Sequence, residues 1–138
     1  MEQEERNLSA LRHLYAEYQK GLLAPLFEML ADDAVWFSEG PSDLPWSGKF
    51  EGPDGVRRYF EILAKEVEIQ RYETREFIAQ GDRVVVLAGI QIVHKRVNRS
   101  ESYDKIDIFK MRDGRLVEFH EYYDTAKAMA MYRPEPSV

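Results

Sequence analysis

The second half of the chain alternates long apolar-rich segments with short polar turns, and this pattern limits the fold more than any other feature. Gly81-Asp82 separates YETREFIAQ from RVVVLAGIQIVHKRV, and Asp113-Gly114 separates YDKIDIFKM from RLVEFHEYYD. Gly and Asp at such positions are typical of tight hairpin turns. Because strands joined by short turns are antiparallel neighbours, the sequence predicts long antiparallel strands. Gly89 inside one of them favours a bent, strongly twisted sheet.

The first half of the chain has helical periodicity. Apolar residues recur every three or four positions in residues 2–20, in 24–31 and after Pro53, which predicts three helices. A short strand from Ala34 to Phe37 follows the second helix. The Gly- and Pro-rich stretch GPSDLPWSGKFEGPDG is then predicted to be a long ordered loop that could act as a lid. The last residues after Ala126 are expected to form one helical turn before a frayed tail.

Composition restricts the function classes. The chain has 138 residues, so we expect one domain spanning residues 1–138. A formal charge of −6 disfavours nucleic acid as a partner. No cysteine is present, so disulfides and thiolate metal sites are excluded, and neither signal peptide nor membrane span is visible. We therefore expect a cytoplasmic protein.

Three stretches together resemble one family across nearly the whole chain. LADDAVW, PWSGKFEGPDGVRRYF and IDIFKMRDGRLVEFHEYYD occur in the order and spacing of the nuclear transport factor 2-like superfamily, in its SnoaL-like and ketosteroid isomerase-like branch. The resemblance implies an α+β fold in which a cone-shaped, curved antiparallel sheet wraps around three N-terminal helices, a cystatin-like roll. It leaves the activity open, because this fold supports isomerases, cyclases, dehydratases, hydrolases and binding modules.

Asp107 is the most informative single residue, because a carboxylate in the middle of an apolar strand is disfavoured without a reason. Alternation places Asp107, Phe109 and Met111 on one face. If that face lines an apolar cavity, desolvation disfavours the charged carboxylate, and the acid could donate a hydrogen bond to a developing enolate or abstract a proton. The alternative is a structural pair with Arg or His. By resemblance, Asp107 matches the oxyanion-hole acid of ketosteroid isomerases.

The other isomerase residues match less well. The resemblance places Leu14 at the oxyanion tyrosine, with Tyr15 close by, and Ser38 at the position of the general base. Glu39 is adjacent and could substitute only if the strand end bulges. These mismatches argue less strongly against a SnoaL-like activity, because such an activity would depend on one acid, Asp107.

Two further titratable residues are candidates for an acid/base partner. His94 shares a face with Ala88 and Ile92, so it could lie in the interior beside Asp107, or simply bond to backbone near a strand end.

In the last strand, the resemblance places Phe119, Glu121 and Tyr123 inside and His120 and Tyr122 at a dimer interface. Glu121 would then be a second carboxylate, or else a solvated residue. The candidate catalytic residues are Asp107, His94, Glu121 and Tyr15.

Aromatic side chains are the expected walls of a pocket for a flat or hydrophobic ligand. Trp46, in the loop, is favoured over Trp36 as a ligand contact. The candidate ligand-binding residues are Trp36, Ser38, Glu39, Trp46, Phe60, Phe109, Phe119 and Tyr123. Neither a metal-ligand cluster nor a phosphate-binding loop is visible in the sequence, so no metal and no cofactor is expected.

Two hypotheses remain. One is a cofactor-independent isomerase, cyclase or lyase that enolises an apolar or polyketide-like carbonyl compound. The other is a non-catalytic ligand-binding or dimerisation module, which the missing base favours. An epoxide hydrolase would require an Asp-Arg-Asp set that the sequence does not provide. A homodimer through the outer sheet face is expected in either case, because Ile106, Ile108, Leu116 and Tyr122 are predicted to face outward.

Overall fold

The structure, a computed structural model, describes residues 2–132. The helices are α1 (Glu2–Gln19), α2 (Ala24–Met29), α3 (Gly52–Glu66) and α4 (Thr125–Met129), and the strands are β1 (Leu30–Ser38), β2 (Gly48–Glu51), β3 (Val67–Gln80), β4 (Arg83–His94), β5 (Arg99–Arg112) and β6 (Arg115–Tyr123). The three predicted helices and five predicted strands occur in the expected order. The stretch predicted to be a long loop also contains a strand, β2, which was not predicted.

The six strands form one curved, open sheet in the order β2-β1-β6-β5-β4-β3. The four long strands are antiparallel neighbours, as the turns between them predict. One pairing was not expected, because β1 lies parallel to β6. The first strand of the chain thus pairs with the last, and the sheet is mixed.

The helices pack on the concave face of the sheet. α1 contacts β3 and β4, whereas α3 contacts β1 and β2. The buried sides of the helices are apolar at helical spacing, with Leu11 and Leu14 on α1 and Val56 and Tyr59 on α3. The core therefore lies between the helices and the inner face of the sheet, as expected for the fold class.

The second helix is shorter than predicted, and the strand after it is longer. α2 ends at Met29, and β1 already begins at Leu30. Leu30 and Ala31 are buried strand residues, although their spacing also fits the helix. A shift in the pairing with β6 between Leu30 and Val35 breaks the alternation that would have marked this start.

The prediction that Leu116 faces outward is wrong. Leu116 pairs with Met111, but Glu118 pairs with Lys110, so Val117 forms a bulge. Because an extra residue reverses the alternation, Leu116 is completely buried. Ile106 and Tyr122 do face outward and are exposed by 41% and 42%. Dimerisation through this face stays a prediction.

The end of the chain begins with the expected helical turn. Asp124 caps α4 by accepting a hydrogen bond from the backbone N–H of Lys127. The proposed frayed tail lies outside the described residues. Within residues 2–132, no helix is both long and apolar enough to cross a membrane.

Candidate functional site

A cavity of about 80 Å³ lies between α1, α3 and the concave face of the sheet. Its walls are mainly aromatic and aliphatic, and its charged lining residues are Lys105, Asp107 and Glu121. β5 supplies the first two at positions of the same face, because side chains two residues apart in a strand point the same way. Glu121 lies directly opposite Asp107 on β6. The sheet therefore places two carboxylates side by side at an apolar cavity.

Asp107 is 1% exposed, and phenol groups hold one of its oxygens. The hydroxyl groups of Tyr15 and Tyr72 donate to Oδ2 over 2.5 and 2.6 Å. Oδ1 lies 3.2 Å from Lys105 Nζ but accepts no hydrogen bond of good geometry. One carboxylate oxygen is thus fully engaged, and the other has only a charge partner.

Glu121 has an equivalent set of partners. Oε2 accepts hydrogen bonds from the hydroxyl of Tyr59, at 2.6 Å, and from the hydroxyl of Ser38. Oε1 forms an ion pair with Lys105 Nζ at 2.9 Å. Ser38 is at the end of β1, which pairs with β6 at Glu121. The parallel pairing of first and last strands brings these two residues together.

Lys105 is the counter-ion of both carboxylates. Its side chain is only 10% exposed, and its ammonium group also donates to the Tyr72 hydroxyl over 2.9 Å. Burial disfavours the ammonium form, but the charges of Asp107 and Glu121 outweigh it and hold the pKa of Lys105 well above its ordinary value. The amine is therefore protonated at neutral pH and cannot act as a nucleophile.

The phenols of the network are held in their neutral, donating form. Burial, reinforced by Asp107, raises the pKa values of Tyr15 and Tyr72 well above the ordinary value, and burial with Glu121 does the same for Tyr59. Neutral phenols can donate to a carboxylate or to an oxyanion of a ligand. The cavity thus combines hydrogen-bond donors, one cation and two carboxylates in a water-poor setting.

A comparison with known families agrees with the fold. The model of the SnoaL-like domain matches residues 11–119. The chain belongs to the SnoaL-like domain family. No curated protein matches the chain at a significant level.

Solved structures of similar shape share the fold of this chain. An NTF2-like protein of unknown function from Burkholderia pseudomallei is 25% identical, with a TM-score of 0.85, over 94% of this chain and 98% of that one. TerC, crystallised with polyporic acid, is 23% identical, with a TM-score of 0.81, over 92% and 97%. A protein from Catenulispora acidiphila with a ketosteroid isomerase-like fold, in complex with trimethylamine, is 12% identical, with a TM-score of 0.74, over 89% and 91%. The last two show the fold alone.

Several candidate residues of this SnoaL-like domain meet at the cavity. Asp107, Glu121 and Tyr15 belong to the network around Lys105, and Ser38 donates to Glu121. Asp107 lies at an apolar cavity beside Glu121 and Tyr15, and its ionic partner is a lysine and not the arginine or histidine of the alternative.

His94 is buried, as predicted, but the structure does not bring it to Asp107. Its Nε2 lies 2.8 Å from the Tyr103 hydroxyl, at the far end of β4, and its ring is near Trp46. Burial lowers the pKa of His94. The proposed His94–Asp107 pair is therefore not present.

Glu39 does not face the cavity, so its proposed role as a substitute base is wrong. Its side chain is 47% exposed and lies 3.6 Å from His120 Nδ1. His120 is on the outer face of β6, stacked on Phe37. The strand end does not bulge inward, and Glu39 stays on the outside.

The aromatic candidates do line the cavity. Trp36 stacks on Phe119 at 3.7 Å between ring centroids, and Trp46 reaches in from the loop between β1 and β2, where its indole N–H donates to the Tyr123 hydroxyl at 2.6 Å. The remaining candidates at the cavity wall are Phe60 and Phe109. Both tryptophans of the chain are thus reporters of this cavity.

Three residues of the network were not found by sequence reasoning, namely Lys105, Tyr59 and Tyr72. Lys105 was detectable, because it precedes Asp107 by two positions and shares its face. Tyr59 follows Pro53 at helical spacing, which indicates only a residue on the buried face of the third helix. No local signal distinguishes Tyr72, since its partner is 35 residues away.

Proposed function

We propose that this SnoaL-like protein binds a small carbonyl compound in the cavity and transfers a proton through an enolate, as a cofactor-independent isomerase, cyclase or lyase. The observation that carries the proposal is Asp107 Oδ1, a buried carboxylate oxygen without a hydrogen bond, 3.2 Å from the Lys105 ammonium. A base and a cationic donor then stand side by side at an apolar cavity.

The chemistry requires both groups. Asp107 Oδ1 takes the proton from the carbon next to the carbonyl, the C–H electron pair forms the new C=C bond, and the carbonyl π electrons move to oxygen. The Lys105 ammonium group, next to Oδ1, stabilises the resulting oxyanion by its positive charge in a low-dielectric site. The O–H groups of Tyr15 and Tyr72 stay on Asp107 Oδ2 and hold the base in place. Returning the proton to another carbon gives isomerisation, and attack by the enolate carbon on a second carbonyl gives cyclisation.

Glu121 has a separate role in this proposal. It fixes the second side of the Lys105 ammonium at 2.9 Å and is itself held by Tyr59 and Ser38. This support limits the motion of the ammonium group and keeps it at Asp107. We therefore assign Glu121 as a positioning residue and Asp107 as the base.

A specific observation also favours the second candidate, a ligand-binding protein without catalysis. The ammonium group of Lys105 already has three partners, and Asp107 Oδ2 and Glu121 Oε2 each accept two hydrogen bonds. Polar groups that already have these partners can hold the protein interior rigid without taking part in a reaction. A binder needs only the apolar part of the cavity.

Hydrogen exchange of butanone in D₂O, followed by proton NMR, distinguishes the enzyme from the non-catalytic ligand-binding protein. Enzymatic function predicts that the protein accelerates loss of the α protons and that Asp107→Asn lowers this rate by about 10²- to 10⁴-fold, the usual contribution of a general base. Glu39→Gln, outside the cavity, is the matched control and keeps the rate. Binding seen by tryptophan fluorescence without any exchange above buffer would reject the enzymatic function in favour of the binding module.

A further inference from the structure

The cavity is small compared with the ligands that an apolar pocket can hold. Its volume is about 80 Å³, whereas a cavity of about 150 Å³ binds benzene. Large aromatic side chains fill the space, with Trp36 stacked on Phe119 and Phe60 against Trp36. Only a compact group fits beside Asp107 and Lys105 in this arrangement.

A larger groove of about 710 Å³ lies next to the cavity. It runs between the end of α1, the end of α3 and β3. Six residues line both spaces, namely Tyr18, Phe60, Leu63, Val67, Ile69 and Tyr72. Cavity and groove are therefore adjacent and share these side chains as a common wall.

Tyr18 stands at the junction of the two spaces. Its ring packs edge-on against Tyr72 at 5.6 Å and against Phe60 at 6.2 Å. Next to it, the amide of Gln19 donates to the backbone carbonyl of Tyr72 over 2.7 Å and ties the end of α1 to β3. This contact holds the end of α1 beside the aromatic rings that separate cavity and groove.

The outer part of the groove is polar without a net charge. Its lining includes the amide side chains of Gln19 and Gln70 and the hydroxyl of Thr74. The charged residues Arg71 and Glu73 form an ion pair with each other at 3.2 Å. Such a surface fits neutral polar groups, since neither a phosphate nor an ammonium group would meet an uncompensated opposite charge.

We infer that the ligand is an elongated molecule with a compact carbonyl head in the cavity and a flexible, neutral, amphipathic tail in the groove. The identity of the head rests on the proposed function, whereas the tail rests on the shared lining of cavity and groove. A rigid polycyclic ketone, which must place its whole body beside Asp107, is excluded from this class. Specificity then resides mainly in the groove, away from the reacting atoms.

Tryptophan fluorescence titrations with three probes test the inference, using butanone, the N-hexylamide of levulinic acid and the steroid androstenedione. The hexylamide carries the same compact ketone on an amphipathic tail, and we expect it to bind about tenfold more tightly than butanone or better, the gain that burial of two methylene groups supplies. Androstenedione is expected not to bind.

A blocking variant locates the tail. Ala64 lines the groove on α3, and Ala64→Trp is expected to reduce hexylamide affinity to that of butanone. Ala16→Trp on the exposed face of α1 is the matched control and keeps the tighter binding. Equal affinities for hexylamide and butanone, undiminished hexylamide binding in Ala64→Trp, or tighter binding of androstenedione overturns the inference.

Failure of this inference is separable from failure of the proposed function. If the tail strengthens binding but butanone shows no proton exchange, the inference about the groove is supported and the proposed proton transfer is rejected. If exchange depends on Asp107 but the tail does not increase affinity, the proposed proton transfer is supported and the inference about the groove is rejected.

Discussion

Lys105 shows how one residue makes two neighbouring carboxylates tolerable inside a protein. Asp107 and Glu121 lie opposite each other on adjacent strands, where like charges destabilise a sheet. Lys105 contacts both, within 3.2 Å and 2.9 Å. Its ammonium group also lies over the rings of Tyr72 and Phe119, so the cation is stabilised by π faces as well as by charge.

Replacing Lys105 with methionine is expected to lower the free energy of unfolding by about 3–5 kcal/mol, because it leaves two buried carboxylates without their cation. Urea denaturation at pH 7 measures the effect. The triple variant Lys105→Met, Asp107→Asn, Glu121→Gln removes the whole set of charges, and it should recover most of the loss. A single variant as stable as the wild type would show that the ion pairs do not support the fold.

At the scale of residues, the sequence identified the acid and only part of its surroundings. Asp107 stood out because a carboxylate is unusual among apolar strand residues, and Tyr15 and Ser38 came from the resemblance. Lys105 was overlooked because a lysine in a strand is usually solvated. Tyr72 contacts Asp107 only through the sheet curvature and α1 packing, which no local pattern encodes.

The β5–β6 hairpin carries all three charged residues of the cavity, and its turn is specified by two residues. Asp113 and Gly114 both have positive φ, at 51° and 78°, and Arg112 pairs with Arg115 across them. This is the two-residue turn whose twist matches that of the strands. The Asp-Gly pair therefore predicts the hairpin and its register at the turn.

Gly114→Ala is expected to destabilise the protein by about 1–2 kcal/mol, the cost of a left-handed conformation for a residue with a β-carbon. No atom outside the adjacent residues lies within 4 Å of the added carbon, so the cost is conformational and not steric. Thermal or urea unfolding measures it. Asp113→Asn, which tolerates the same conformation, is the control and should stay within about 0.5 kcal/mol of the wild type; equal stability of both variants would contradict the prediction.

The same hairpin contains a residue whose face was predicted wrongly from the alternation of the strand. The bulge at Val117 reverses the faces of the residues before it, and Leu116 is therefore buried. A bulge adds one residue without a signature of its own here, because Val117 is a good strand residue. Alternation along β6 therefore predicts correctly which side chains point inward from Phe119 onward, but it wrongly predicts that Leu116 points outward.

At the scale of the whole molecule, the buried phenols couple the fold to alkaline pH. The folded pKa values of Tyr15, Tyr59 and Tyr72 lie above the ordinary 10.0, and that of Lys105 lies above 10.5. Groups with raised folded pKa values contribute stability fully below the unfolded pKa and lose it as the pH rises toward the folded pKa. Neutral pH is thus within the range of full contribution.

We expect the free energy of unfolding to be constant with respect to these groups up to about pH 10 and to fall above it. Absorbance at the tyrosinate band checks the cause, since only part of the eight tyrosines should ionise before the chain unfolds. Tyr15→Phe should reduce the alkaline loss of stability. Reversible ionisation of all eight near pH 10 in the folded protein would contradict the prediction.

The pairing of β1 with β6 has a consequence for biosynthesis. Ribosomes deliver the chain from its N-terminus, so the partners of Ser38 and Tyr15, which are 83 and 92 residues further along the chain, emerge much later. Until then, α1 and α3 have no complete sheet to cover their apolar faces, and an incomplete chain exposes surface that favours aggregation. The cavity cannot assemble gradually during synthesis, because it is completed only when β6 has emerged. Long-range pairing of this kind makes that step slow.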